Sequence, residues 1–300
     1  MKFISFRIVV SIISLAVLWS CASTKDYRYD DINEALENKN EIKELVFENE
    51  PFGEKFNIDT TIFGKIQEFV NLENLEIKGF TLNNYELKEL VSSMTKLAKL
   101  RLFKIIDCAL NEDNIPVEFN NLKNIEVIDL SWNNLTSVPG FLKNYTWLNF
   151  LKLSGNHLEN LTVLEKLKNL KFLDLSWCYL NSVPNEICNL PLLSDIDLSN
   201  NKITSIPENL CNLDSLIILD LSYNSEYKDY EGNIQYSQNG PTYKWTNKKI
   251  DKCYLEYLPK NISKLKNLES LDLQFDCIPD AEIERLKVAL PNYVILTGKN

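Results

Sequence analysis

The chain has 300 residues, of which 45% are hydrophobic and 25% are charged, and its formal net charge is −10. This apolar content suffices for a packed core. The acidic balance, with no lysine- and arginine-rich patch to offset it, disfavours nucleic acid or an anionic membrane surface as a partner. One repeating unit runs through nearly the whole sequence, so we expect one domain.

The first 21 residues differ from the rest. Two basic residues, Lys2 and Arg7, precede an apolar stretch that ends in Leu18-Trp19-Ser20-Cys21. Residues 1–20 are therefore predicted to be a signal peptide, whose removal would bring the net charge to −12. The stretch resembles a bacterial lipoprotein signal, which implies that Cys21 receives the lipid, although Trp19 departs from the motif. An ordinary signal peptide and a short uncleaved anchor are the alternatives.

Short flanking segments lie on either side of the repeats. Residues 21–29 are polar and predict a tether. Residues 30–41 predict an N-terminal cap with a short helix, since acidic residues stand in its first turn. At the other end, residues 279–300 predict a C-terminal cap. Its apolar residues fall first at helical spacing and then form the closing strand Val294-Ile295-Leu296.

Between residues 42 and 278, apolar residues return about every 23 positions in the pattern L-x-x-L-x-L-x-x-N/C-x-L. We expect about nine coils, the first three of them loose. The third is placed at Leu97, Leu100 and Leu102, with Arg101 pointing away from the core. The most regular coils begin at Ile125, Leu148, Leu170 and Leu193.

This spacing resembles the leucine-rich repeat family. The resemblance implies an α/β solenoid, a right-handed superhelix with a parallel concave sheet. Each L-x-L is a short strand with its leucines on one side, and the coils must stack to bury them. The Asn at the ninth position needs buried partners, which the backbone of neighbouring coils can supply. Such a solenoid presents a surface, which favours binding over catalysis.

An insertion over residues 225–252 interrupts the eighth coil. It carries Tyr227, Tyr230, Tyr236, Tyr243 and Trp245. Tyrosine-rich loops make good contact surfaces because the side chain buries much area for little entropy. A hairpin packed on the edge of the coils is the alternative, and the sequence does not decide between the two.

The residue between the two strand leucines faces away from the core, and in most coils it is acidic. Like charges about 4.8 Å apart repel, and a cation from a partner would relieve that repulsion. The alternative is a solvated acidic face, because exposed carboxylates are well tolerated. The predicted column is Asp129, Asp174, Asp197, Asp220 and Asp272, with Lys152 among them.

A second outward column lies two positions after each strand leucine. It contains Trp132, Trp177, Tyr223 and Phe275, with Gly155 and Asn200 in the remaining coils. Tryptophan and tyrosine are enriched at binding hot spots, so we predict that this column binds a ligand. Mutual shielding of the rings along the rim is the alternative. Phe150 and Phe172 would extend the same apolar surface.

The cysteines indicate one candidate bridge. Cys188 and Cys211 occupy the same repeat position in adjacent coils, which predicts a solvent-facing disulfide, with two free thiols as the alternative. His157, the only histidine, follows a ladder Asn and is expected to be a surface turn residue. We find no metal-ligand cluster, no phosphate-binding glycine loop and no nucleophile in register with that histidine, so neither an enzyme nor a cofactor is indicated.

The sequence therefore predicts a non-catalytic module that binds a protein or peptide, basic or host-derived. The resemblance adds a lipid tether to the bacterial envelope, at the outer membrane or cell surface. A structural spacer and an accessory subunit of an envelope enzyme are the alternatives. Exposed, ordered aromatic residues on the concave face would favour a binder, whereas a face covered by the insertion would favour a spacer.

Overall fold

The computed structural model describes residues 32–49, 60–227, 234–237, 240–243, 250–291 and 294–297. The predicted signal peptide, Cys21 and the tether lie outside these residues, as do the side chains of the insertion's tyrosines and Trp245. In the part of the chain that is described, no helix is both long and apolar enough to cross a membrane.

A parallel sheet of ten strands forms one wall of the solenoid, and its strands follow each other in chain order, which confirms the predicted sheet. We number the coils by the order of these strands in the sheet. The strands are β1 (Glu44–Glu48), β2 (Asn74–Lys78), β3 (Leu102–Ile106), β4 (Val127–Asp129), β5 (Phe150–Lys152), β6 (Phe172–Asp174), β7 (Asp195–Asp197), β8 (Ile218–Asp220), β13 (Ser270–Leu273) and the closing strand β14 (Val294–Thr297).

The return path opposite the sheet changes along the solenoid. Equivalent strand residues are 30 and 28 positions apart in the first three coils, where Leu45 aligns with Leu75 and Leu75 with Phe103. These longer repeats hold a nine-residue 3-10 helix, Thr60–Glu68, and the helix α2 (Asn84–Met94). Later coils return through short 3-10 turns: Val117–Asn121, Gly140–Asn144, Thr162–Lys166, Asn185–Asn189, Glu208–Asn212 and Ile262–Lys264.

Buried asparagines join neighbouring coils. The Oδ1 atom of Asn201 accepts the backbone N–H groups of Cys178 and Leu180 in the preceding coil. Its Nδ2 atom donates to the carbonyl oxygens of Leu175 and Leu198. Asn133, Asn156 and Asn224 occupy the equivalent place in their coils. Each amide thus satisfies backbone groups of two coils, and the predicted role of this position is confirmed.

The register predicted for the third coil is wrong. The buried residues of this coil are Leu100, Phe103, Ile105, Cys108 and Leu110, which fit the repeat pattern without extra residues. Leu102 is therefore partly exposed on the concave face. Lys104, rather than Arg101, stands in the outward column between Glu76 and Asp129. Leucines at 97, 100 and 102 mimicked the pattern, although the first of them belongs to the preceding turn.

The insertion forms antiparallel strands outside the main sheet. Strand β9 (Ser225–Tyr227) pairs with β12 (Ile250–Cys253), and β10 (Ile234–Ser237) pairs with β11 (Gly240–Tyr243). Strand β8 pairs directly with β13, so the sheet continues past the insertion. The backbone of this segment thus contains two antiparallel strand pairs, and whether it is a contact loop or a hairpin packed on the edge of the coils stays open.

Both ends of the solenoid carry a helix, as expected. The helix α1 (Ile32–Glu37) precedes β1, and α3 (Asp280–Ala289) follows β13. In α3, Arg285 donates to both carboxyl oxygens of Glu282, at 2.7 and 2.6 Å, and to the carbonyl oxygen of Leu258. Glu282 in turn accepts the backbone N–H of Leu258. This bidentate pair joins the cap helix to the return path of the eighth coil.

The expected disulfide between Cys188 and Cys211 is absent: both are free thiols, and both are buried. Lys143 and Ser263, at the same repeat position, are exposed. A small apolar thiol can pack inward at this point of the 3-10 turn, whereas a lysine must extend outward. Burial raises the pKa of both thiols to about 11, which keeps them protonated. Cys277, by contrast, takes part in a disulfide bond that the sequence did not indicate.

The ninth coil has an aspartate at the ladder position. Asp276 Oδ1 accepts the backbone N–H of Asn224 at 2.7 Å, as a ladder Asn would. Its Oδ2 atom is buried without a hydrogen-bond partner among the described residues, at the place where an Asn amide would donate. Desolvation by burial, followed by the nearby charges of Asp220 and Asp272, raises the pKa of Asp276 to about 8.

We therefore expect Asp276→Asn to stabilise the fold increasingly as the pH rises, because the amide can donate at any pH, whereas the buried carboxyl group loses its proton and can then no longer donate. The unfolded chain loses the carboxyl proton near pH 4, and the folded chain near pH 8. Between these values the folded state binds more protons, so the wild-type unfolding free energy falls as pH rises, by on the order of 1.4 kcal/mol per pH unit.

Urea unfolding of both proteins at pH 5 and pH 8 measures this effect. The stability difference between variant and wild type should grow with pH. The exposed Asp214→Asn change serves as the control and should show no such growth. A difference that stays constant across this range would contradict the assignment of a neutral, buried carboxyl group.

Candidate functional site

The predicted acidic column lies in register on the concave face. Asp174 aligns with Asp197, Asp197 with Asp220, and Asp220 with Asp272 across four consecutive coils. Strands in a sheet lie about 4.8 Å apart, so these carboxylates are close neighbours. Asp129 lies two coils earlier than Asp174, and Lys152 lies between them.

Each carboxylate of the column also shapes its own coil. The Oδ1 atom of Asp174 accepts the backbone N–H and the hydroxyl of Ser176, at 3.0 and 2.7 Å. Asp197 and Asp220 accept the N–H of the residue two positions later in the same way, at 2.9 Å. These bonds close the turn after the strand, as Asp side chains commonly do. One oxygen per carboxylate thus serves the fold.

Burial and mutual repulsion disfavour the charged form of these groups. Desolvation, followed by the charge of Asp197, raises the pKa of Asp174 to about 6. The pKa values of Asp197 and Asp220 are raised by the same two causes, the neighbouring charges being those of Asp220 and Asp272 respectively. A cation placed beside the column would lower these pKa values again.

Charge compensation differs along the concave face. In the first coils the Nζ of Lys104 lies 2.8 Å from Glu76 Oε2, and Lys78 pairs with Glu48. In the middle, Lys152 Nζ lies 3.9 Å from Asp174 Oδ2. Asp197, Asp220 and Asp272 form no ion pair with any residue that the structure describes. The last three coils thus present a row of carboxylates without an ion pair among the described residues, although the charge of Lys152 reaches Asp197 and Gln274 Nε2 donates to Asp272 Oδ2 at 3.1 Å.

The aromatic column lies at the bend after each strand, in a strained backbone conformation. Trp132, Trp177, Tyr223 and Phe275 all have positive φ, between 57° and 62°. Gly155 and Asn200, at the same position, are residue types that tolerate this region, whereas bulky side chains are rare there. The strain costs about 1–2 kcal/mol per residue. A backbone preference therefore does not explain the aromatic residues at this bend, and the contacts that their rings make must do so.

The rings of the column form two pairs. Those of Trp132 and Trp177 lie 6.3 Å apart although a whole coil separates them, and those of Tyr223 and Phe275 stack at 4.2 Å. The first pair depends on Gly155 in the intervening coil, since a Cβ there would lie 2.6 Å from the Trp132 ring. Trp132 lies over this glycine and remains 50% exposed.

A third aromatic pair lies within the sheet. The rings of Phe150 and Phe172 stack at 3.9 Å with almost parallel planes. The Nζ of Lys152 lies 5.8 and 5.6 Å from their centroids, within the range of a cation–π interaction. The neighbouring strands add Leu102 and Val127 to this partly exposed apolar surface.

The predicted site residues therefore share one surface. The acidic column stands on the strands, and the aromatic column lies at the bends three residues later. Tyr223 is two residues before β9, at the root of the insertion. The sequence analysis missed Lys104 because it placed the third coil in the wrong register. It also missed the role of Gly155, although the aromatic residues at the same repeat position in other coils could have indicated it.

Three segments of the chain, residues 124–145, 169–190 and 192–213, match the sequence profile of the Leucine Rich Repeat family. The fold is a leucine-rich repeat solenoid. The matched segments are the fourth, sixth and seventh coils, which carry Asp129 and Trp132, Asp174 and Trp177, and Asp197.

Known proteins resemble the solenoid in part. A flightless-1 homolog of Caenorhabditis elegans is 35% identical over 101 residues, which cover 34% of this chain and 8% of that protein. A probable disease resistance protein of Arabidopsis thaliana is 32% identical over 101 residues, covering 33% of this chain and again 8% of its own length. The chain thus spans less than a tenth of these relatives.

Two solved bacterial structures are similar to this chain at low identity. An internalin of Listeria monocytogenes has a TM-score of 0.46 and 19% identity, and the match covers 87% of this chain and 82% of that chain. A leucine-rich repeat protein of Leptospira interrogans has a TM-score of 0.37 and 18% identity, with 90% and 99% covered.

Proposed function

We propose that the leucine-rich repeat solenoid is a non-catalytic binding module, whose concave face takes up a protein or peptide with basic and apolar side chains. One observation carries this proposal: the carboxylates of Asp197, Asp220 and Asp272, which form no ion pair with a described residue, lie in a row beside aromatic rings held at strained bends. Isolated exposed carboxylates are common, but the strained aromatic residues beside them have no evident use for the fold.

The two columns would contribute differently to binding. The carboxylates would attract a basic partner and select it by charge. The aromatic rings would supply most of the binding free energy, as buried Trp and Tyr side chains do at interfaces. The exposure of Trp132 favours this role over that of a spacer, in which the concave face would be covered.

Substitution of Trp132 and Trp177 tests the proposal on the full chain. A partner captured from envelope extract by the wild-type protein should bind the double variant Trp132→Ala, Trp177→Ala at least ~2 kcal/mol more weakly. The control replaces two exposed residues away from the concave face, Val117→Ala and Val288→Ala, and should not change the affinity. Equal affinity of the double variant and the wild type would exclude the concave aromatic site and favour the insertion instead.

We further propose that the protein is exported and held at the bacterial envelope, at the outer membrane or cell surface, by lipid on Cys21. The basic start, the apolar stretch and the motif Leu18-Trp19-Ser20-Cys21 support this localisation. The acyl chains would supply the membrane affinity, while the acidic solenoid would stay in the aqueous phase.

Cys21→Ala should leave the precursor uncleaved or release the protein from the membrane fraction. Detergent partitioning and the intact mass measure both outcomes. Ser23→Ala, two residues beyond the predicted lipid attachment point, is the control and should behave as the wild type. A Cys21→Ala protein with the mass and partitioning of the wild type would exclude a lipid anchor.

A further inference from the structure

The chemistry of the partner can be narrowed further, on the assumption that the proposed function holds. Lys152 shows how a cation sits on the concave face: its Nζ lies 3.9 Å from Asp174 Oδ2 and close to both phenylalanine rings. The next three coils have Asp197, Asp220 and Asp272 in the same column but no lysine that pairs with them among the described residues. In these coils, a cation of the partner would lie beside the carboxylate as Lys152 lies beside Asp174.

The spacing of the coils selects the conformation of such a partner. Two coils span about 9.6 Å, because strands lie about 4.8 Å apart. Three residues of a polyproline II helix span about 9.3 Å, so a cation at every third residue stays in step with every second carboxylate. An extended strand repeats its side chains every ~6.8 Å, which matches neither one coil nor two. One face of an α-helix presents side chains every 5.4 Å, so their positions shift by ~0.6 Å relative to the carboxylates at each coil.

The apolar part of the face suits the same conformation. Trp132 lies flat over Gly155 and contacts Trp177, and the rings of Phe150 and Phe172 are almost parallel. Flat aromatic surfaces are the usual docking sites for the proline rings of a polyproline II segment, whose rigid backbone loses little entropy on binding. These two surfaces lie in the fourth to sixth coils, and the row of Asp197, Asp220 and Asp272 follows in the seventh to ninth, beside the stacked rings of Tyr223 and Phe275. A single extended occupant that crosses the strands would meet both regions.

We propose that the concave face binds a basic, proline-rich segment in the polyproline II conformation, which crosses the strands and places a cationic side chain at every third residue. The cations lie beside Asp197 and Asp272, two coils apart, and the prolines between them pack on the stacked rings of Tyr223 and Phe275. The segment continues over the rings of Trp132 and Trp177 in the fourth to sixth coils.

Synthetic peptides test this inference on the full chain. A peptide of Pro-Pro-Arg repeats should bind at least about tenfold tighter than Gly-Ser-Arg repeats of equal length and charge, which lack the preformed helix. A peptide with the composition of the first but with its arginines adjacent should also bind about tenfold more weakly, because its charges are out of step with the coils. Fluorescence anisotropy measures the three affinities at one salt concentration.

Gly155→Ala provides a variant that alters the aromatic surface without removing a ring. The new Cβ would displace Trp132, and the affinity for the Pro-Pro-Arg peptide should fall about tenfold. Gly79→Ala, at the same repeat position in the second coil and at φ 79°, imposes a comparable backbone strain away from the proposed site and is the matched control for that strain. Gly140→Ala controls for the substitution itself, since nothing lies within 4 Å of its Cβ. In a Trp132→Ala background, Gly155→Ala should have no further effect.

The outcomes separate this inference from the proposed function. Equal affinity for the Pro-Pro-Arg and Gly-Ser-Arg peptides would show that charge alone is recognised and would overturn the polyproline assignment. Failure of every peptide would overturn it as well. If a captured partner is nevertheless lost in the Trp132 and Trp177 double variant, the concave binding site stands and only the chemistry assigned to its occupant is wrong.

Discussion

The register between coils is the constraint on which the rest of the structure depends. Buried ladder amides and parallel strand pairing tie each coil to the next, so equivalent residues fall into columns that run across the molecule. A side chain that recurs at one repeat position thereby forms a column, whose neighbouring members lie about 4.8 Å apart. The solenoid can therefore form an extended binding face from its strands, without loops that gather around one pocket.

The same residues serve both the fold and the face. One oxygen of Asp174, Asp197 and Asp220 accepts the backbone N–H two residues later and so closes the turn after the strand, while the carboxylates remain in register across the sheet. The bend that follows requires a left-handed backbone, for which glycine and asparagine are suited, yet four coils place an aromatic residue there. The fold tolerates this strain because the coils on either side fix the bend by backbone hydrogen bonds, such as that from Trp177 N to Ser199 O.

Much of this arrangement follows from the spacing of residues alone. The period of the leucines predicts the parallel sheet, and the positions between and after them predict the acidic and aromatic columns. What the spacing could not predict depends on contacts between coils. The inward packing of Cys188 and Cys211 is decided by the local 3-10 turn, and the reach of Trp132 to Trp177 is decided by the missing Cβ of Gly155. The register predicted for the third coil was wrong because Leu97, Leu100 and Leu102 fit the pattern as well as the buried residues Leu100, Phe103 and Ile105 do.

Site-specific photocrosslinking tests most directly whether the concave face is the surface that meets a partner. A benzophenone amino acid at Ile218, which lies on the concave strand β8, would be compared with one at Val117, which is 72% exposed on the opposite side of its coil. With a captured partner present, irradiation should yield an adduct from Ile218 and none from Val117. An adduct from Val117 alone would contradict a binding site on the concave face.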